Sequence, residues 1–181
     1  MEEHTQAFAD AEHVLFAFPL YTDIMPGLVK TFIETLEPLC GRDDNPSVGF
    51  IIHSGFPEAL QLRCLERYLQ KLTSRLGCAY TGTIIKGGSE GIRFSPPESY
   101  KPLFDTFQQL GKTFAETGKF DQAILEKLAQ PERFPWWVGL IYNPLARMPL
   151  LTKGWDDMLK ANNAYKRRYA RPFEEKSTTT D

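Results

Sequence analysis

Apolar residues fall along this chain in two rhythms: short unbroken runs, and stripes recurring every three or four positions. His13-Val14-Leu15-Phe16-Ala17-Phe18 is almost continuously apolar, which predicts a strand covered on both faces. Residues 48–52 predict a second buried strand, and residues 79–86, centred on Ile84 and Ile85, a third. Between these runs the period changes. Leu28, Val29, Phe32, Ile33, Leu36 and Leu39 make one helical stripe, and Leu65, Tyr68, Leu69, Leu72 and Leu76 make another. Gly77 suits the C-terminal cap of that second helix. A longer helix is expected over about residues 98–116, with Tyr100, Leu103, Phe104, Phe107, Leu110 and Phe114 on its apolar side and Gly118 as its stop. Asp121 then predicts the N-cap of a short helix carrying Ile124, Leu125 and Leu128. Strands separated by helical stripes imply a parallel sheet with right-handed crossovers.

From Phe134 the character changes. Residues 135–142 and 144–151 are strongly apolar but broken by prolines. Asn143 and Arg147 interrupt a stretch already shorter than the ~20 residues needed to cross a bilayer. Burial against the sheet or another subunit is therefore expected, in preference to a membrane-surface anchor. A last helix over about residues 154–169 opens on Asp156-Asp157 and closes on Lys166-Arg167-Arg168, which places the basic cluster at a helix C-terminus. Residues 174–181 read as a frayed tail. The organisation expected is an α/β domain over 1–130 and an aromatic-rich helical extension of the same domain over 131–181.

Composition changes this picture little. The chain has 181 residues, 42% hydrophobic and 24% charged, with a formal charge of -2. A near-neutral balance gives no electrostatic reason to expect nucleic acid or an anionic membrane as partner. Cys40, Cys64 and Cys78 are odd in number and lack a C-x-x-C spacing. Cys64 and Cys78 sit beside apolar positions, so buried reduced thiols are expected, in a cytoplasmic compartment. The N-terminus, Met1-Glu2-Glu3-His4, has neither the basic nor the apolar segment of a signal peptide.

Candidate chemistry gathers at the strand ends. Pro19 closes the first strand, residues 20–25 form a short loop, and Pro26 suits the first turn of the next helix. The carboxyl ends of strands are where open parallel sheets bind ligands, although a plain strand-to-helix connection reads the same way. The second strand ends in His53-Ser54-Gly55-Phe56-Pro57-Glu58, and the third in Gly87-Gly88-Ser89-Glu90-Gly91. Ser54 lacks the preceding glycine of a nucleophile elbow. The glycine run lacks the Gly-Lys-Ser/Thr of a P-loop, and the three histidines share no metal-ligand spacing. Converging, the loops would offer flat apolar surface from Tyr21 and Phe56, backbone amides near glycine, and hydroxyls at Thr22 and Ser54. That lining suits a planar heterocycle with polar edges.

Phe18-Pro19-Leu20-Tyr21, leading into Met25-Pro26-Gly27-Leu28-Val29-Lys30 and Glu34, resembles the flavodoxin-like NAD(P)H-dependent FMN reductases and quinone reductases. His53-Ser54-Gly55 is similar to that family's second flavin loop, and the resemblance covers roughly residues 11–93. It implies an α/β, flavodoxin-like three-layer fold whose parallel sheet is truncated, with a helical C-terminal extension. It also implies FMN as cofactor and NAD(P)H as co-substrate, with a small-molecule electron acceptor. Pro19, Leu20, Tyr21 and Thr22 would face the isoalloxazine ring, and Ser54, Gly55 and Phe56 would cover its pyrimidine side. Hydride passes directly between the rings in that family, so no acid–base residue is required. Lys30 and Glu34 are expected to be a helix-surface pair.

The family's first strand, phosphate loop and second strand would precede the Pro-x-Tyr strand, whereas twelve residues precede His13 here. The expectation is a sheet with an exposed edge, completed by a homo-oligomer or by a chain supplying the missing unit. The alternative is a non-enzymatic oligomeric or partner-binding module derived from a flavodoxin-like ancestor.

Overall fold

The computed structural model describes residues 2–145 and 149–171. By internal contacts the chain divides into two units, Met1–Phe134 and Pro135–Asp181. The first holds the sheet. Its elements run α1 (Glu2–Ala9), β1 (His13–Pro19), α2 (Gly27–Glu34), β2 (Ser47–His53), α3 (Arg63–Leu76), β3 (Tyr80–Lys86), α4 (Lys101–Thr117) and α5 (Gln122–Leu128). Short 3-10 turns lie at Glu37–Leu39, Ala59–Leu62, Ser89–Phe94 and Pro97–Tyr100. The second unit comprises α6 (Trp136–Leu145), α7 (Pro149–Ala161) and a 3-10 turn at Tyr165–Arg167.

The three strands are parallel in the order β1-β2-β3, with Phe16 opposite Phe50 and Ile51 opposite Ile84. Alternation along each strand sends successive side chains to opposite faces. Phe18, Val48, Phe50, Ile52 and Ile85 meet Phe8 of α1, Ile33 of α2 and Leu65, Leu69 and Leu76 of α3. On the other face Ile51 and Ile84 meet Leu103, Phe107 and Leu110 of α4 and Ile124 and Leu128 of α5. Helix, sheet and helix make three layers, so the first unit is an α/β fold with a short parallel sheet, as a truncated flavodoxin-like arrangement requires.

Local chemistry sets the boundaries. Gly77 (φ +80°) and Gly118 (φ +68°) adopt the left-handed conformation that ends α3 and α4, where a Cβ would be strained. The Asp121 carboxylate accepts from the Ile124 amide at 3.1 Å and caps α5. Within the expected turn after α2, the Asn45 side-chain amide donates to the Leu39 and Leu76 carbonyls at 2.7 Å each. It thereby satisfies acceptors left over at two helix ends. The buried hydroxyls are satisfied too: Thr73 donates to the Leu69 carbonyl and Thr83 pairs with the Tyr80 hydroxyl.

Five expectations need correction. β1 is not covered on both faces: Leu15 is 52% exposed, and His13 and Ala17 are exposed beside it. The helices of that side, α4 and α5, pack mainly over β2 and β3, with Phe114 of α4 meeting His13 edge-on, and among the described residues β1 pairs along one edge only. Leu15 forgoes about half of the ~1.5–3 kcal/mol that full burial of a leucine contributes. Cys64 is exposed on α3, and only Cys78 of the three free thiols is buried, because α3 turns Leu65 and Leu69 to the sheet instead. Leu28 and Tyr68, assigned to helical core stripes, are 87% and 44% exposed. Each lies at the margin of its stripe, where a narrow sheet offers nothing to pack against.

The long helix begins at Lys101, since Pro96-Pro97 sets a separate 3-10 turn first. The basic cluster is not at a helix C-terminus either. Asn163 adopts φ +56°, the Ala164 amide donates to the Leu159 carbonyl and the Asn163 amide to that of Lys160. This is a Schellman-type stop, and it leaves Lys166 and Arg167 in the 3-10 turn beyond it. The expected frayed tail, residues 174–181, lies outside the described residues, as does part of the apolar stretch 144–151. Among the described residues no helix is long and apolar enough to cross a membrane.

Candidate functional site

Parallel strands deliver their C-terminal loops to one end of a sheet, and hydrogen bonds here fasten those loops to one another. The Leu20 amide donates to the His53 carbonyl at 2.7 Å, and the Ser54 amide to the Lys86 carbonyl at 3.1 Å. The loops after β2 and β3 are clasped more tightly. Ser89 donates through both its amide (3.0 Å) and its hydroxyl (2.9 Å) to the Ser54 carbonyl, and the Gly88 amide donates to Phe56 at 2.8 Å. A Cβ on Gly87 would stand 2.2 Å from the Pro57 carbonyl oxygen, so only glycine lets the two backbones approach this closely.

His53 completes the clasp. Its Nδ1 lies 2.8 Å from the Ser89 hydroxyl oxygen. The Ser89 proton is already committed to the Ser54 carbonyl. With that proton so placed, Nδ1 is the donor and the Ser89 oxygen the acceptor. Sequence reasoning set His53 aside and treated Ser89 as loop. A contact between residues 36 apart leaves no local trace, though parallel pairing of β2 with β3 does put His53 opposite Lys86.

The loop after β1 is built differently. Tyr21 and Ile24 exchange backbone hydrogen bonds at 2.9 and 3.1 Å around Thr22, whose φ of +58° is uncommon for a β-branched residue. The turn holds Tyr21 63% exposed, while Met25 behind it is buried. Phe56, on the neighbouring loop, is 68% exposed. Pro19 and Leu20 are half-buried, and Thr22 and Gly55 are exposed. All seven residues singled out from the sequence thus stand at one end of the sheet. Ser54 differs from the rest: it is buried, and its hydroxyl donates to the Phe56 carbonyl at 2.9 Å. Its proton shapes the loop and is not free for a ligand.

The amides of Gly55 and Phe56 have no hydrogen-bond partner among the described residues. Two exposed aromatic rings with free donors nearby can hold a flat molecule with acceptors along one edge. Charge is less favourable to a phosphate. The loops carry Asp23, Glu58 and Glu90, with Arg93 two residues beyond the third loop, and Glu58 itself receives the Phe134 amide at 2.6 Å. Lys30 is paired with Glu34 on the helix surface.

No family model matches the sequence. No curated protein matches it either. Among solved structures, a Trp repressor binding protein from Bacillus subtilis aligns at 17% identity with a TM-score of 0.43, covering 48% of this chain and 62% of that one. A thermophilic tryptophan halogenase from Streptomycin violaceusniger aligns at 17% identity with a TM-score of 0.42, covering 48% and 60%. An NADH:FMN oxidoreductase in its apo form aligns at 18% identity with a TM-score of 0.42, covering 56% and 53%. In each case the chain spans less than two thirds of the other protein's length.

Proposed function

We propose that the protein is a flavin-dependent NAD(P)H oxidoreductase of the FMN or quinone reductase type, with the isoalloxazine ring held at the loop end of the sheet. The observation that supports this reading is the parallel pairing of the strands, which carries the exposed rings of Tyr21 and Phe56 to one end of one sheet. In this reading Tyr21 and Phe56 stack on or border the ring, and Pro19, Leu20 and Thr22 wall its side. The Gly55 and Phe56 amides donate to the pyrimidine oxygens and nitrogens. Ser54 acts one step back, by fixing Phe56 through its carbonyl.

A bound flavin would supply the hydride-accepting centre; the protein's own work is to position the ring, exclude water from its face and leave room for nicotinamide and a small-molecule acceptor. In this reading the loops hold the ring, and the phosphate of FMN adds little affinity, since Asp23, Glu58 and Glu90 lie in those loops. Riboflavin and FMN should therefore bind alike. Titration of each, followed by quenching of flavin fluorescence, should give dissociation constants within about threefold, and Phe56→Ala should weaken both about tenfold through loss of a stacking contact. If neither flavin is quenched at millimolar protein, the reading fails.

The alternative is a non-enzymatic module that associates with a second copy or with another chain. The exposed face and free edge of β1 favour it. Sedimentation across a concentration series, with no flavin present, separates a self-associating protein from a monomer.

A further inference from the structure

A second concavity lies on the α4 side of the sheet and shares His53, Ser89 and Glu90 with the loops described above. It encloses about 420 Å³ between the ends of β2 and β3, the turn Ser89–Phe94 and α4. Ile51, Ile92, Leu103, Phe104 and Phe107 give it apolar walls, and Phe104 is 53% exposed although it sits among them. That volume falls within the ~300–1,000 Å³ of small-molecule sites.

Its polar groups are His53, Lys86, Ser89 and Glu90. Ser89 is spent on the clasp and His53 is tied to it through Nδ1. Lys86 is the odd group. Half-buried at the end of β3, its ammonium makes no hydrogen bond or ion pair among the described residues. Burial alone pushes its ammonium below the ordinary 10.5, with no neighbouring charge to offset the cost. Arg63, a half-buried cation on α3, is by contrast paired with Glu66 and Glu132. Glu90 shares the cleft but is exposed at its rim and lies beyond ion-pair distance of Lys86.

We infer that this cleft binds a small aromatic carboxylate, its ring between Phe104 and Ile92 and its carboxylate on the Lys86 ammonium. An unpaired ammonium in an apolar recess is costly until an anion meets it, and a carboxylate that brings its own apolar body supplies both requirements at once. The neutral form of the same molecule gains the apolar contact alone. The inference is independent of flavin binding, because Tyr21, Gly55 and Phe56 take no part in this cleft.

The test uses the full chain without flavin, with 2-naphthoate and its neutral counterpart 2-naphthamide as probes in calorimetric titrations. Naphthoate should bind in the submillimolar range, and naphthamide at least tenfold more weakly. Lys86→Gln should erase that difference, Lys86→Arg should retain most of it, and Glu90→Gln should strengthen naphthoate two- to threefold by removing a like charge. Phe104→Ala should weaken both probes by the same factor. Failure of naphthoate to bind at millimolar concentration, equal affinity for the two probes, or an unaltered preference in a folded Lys86→Gln variant would each overturn the assignment. Should that variant not fold, the Lys86→Arg and Glu90→Gln titrations decide the matter alone.

Discussion

The β2–β3 half of the sheet and the β1 half are built to different standards. Both faces of β2 and β3 are covered, and their loops are cross-bonded through Ser54, Phe56, Gly88 and Ser89. β1 has one bonded edge, one covered face, and a loop joined to its neighbour by the Leu20 amide. The difference separates two jobs. The clasped side can fix the direction of Phe56 and the free amides beside it. The β1 side leaves Tyr21 on an isolated turn and presents an apolar surface that something else can cover.

The contrast breaks first at Gly87. Alanine there drives a methyl group into the Pro57 carbonyl, a backbone atom that cannot swing aside. Gly87→Ala should cost about 3 kcal/mol or more, read from urea unfolding, and should release the Ser89–Ser54 bonds. A loss below about 1 kcal/mol would mean the clasp is loose.

A milder probe is the latch that follows α5. The Arg63 guanidinium grips the Glu132 carboxylate through Nε at 3.1 Å and a second nitrogen at 2.6 Å, while the Ala59 and Leu60 amides donate to Pro131 and Glu132. Arg63 holds the Glu132 carboxyl below its ordinary 4.5. A depressed carboxyl stabilises the fold above its unfolded value and loses that contribution as pH falls through the folded one. Glu132→Gln should thus cost about 1 kcal/mol at neutral pH, since the pair is partly solvated. The gap to the parent protein should close on acidification below about 4.5. A gap that does not narrow at all on acidification would assign the loss to something other than charge.

The smallest effect is expected on the open side. Leu15→Thr should cost less than about 1 kcal/mol if nothing covers that face in solution, since half of the side chain is already exposed. A loss near 2 kcal/mol, or a drop in sedimentation coefficient, would show that the face is occupied and would erase the asymmetry.

Much of the fold was legible because it follows from local rules. Each strand was placed within a residue or two by its apolar run, and Gly77, Gly118 and Asp121 end or begin helices for the reasons their chemistry gives. The meeting of the loops followed from parallel topology. What was not legible depends on neighbours distant in sequence. An apolar run such as Val14 to Phe18 is identical whether helices cover one face or two, so the exposure of Leu15 could not be read from it. Likewise Cys64 and Leu28 lie on helices whose rotation against a narrow sheet decides their fate. The bond from His53 to Ser89, and the isolation of Lys86, belong to geometry and leave no mark on composition.

Order of synthesis gives the free edge of β1 a further meaning. His13–Pro19 leaves the ribosome before Ser47–His53, the only strand with which it pairs. At translation speeds of ~5–20 residues per second, that apolar segment waits on the order of seconds for its partner. When the partner arrives, one side of the segment is still bare. The protein's yield should depend more on temperature and crowding during production than the finished fold would suggest.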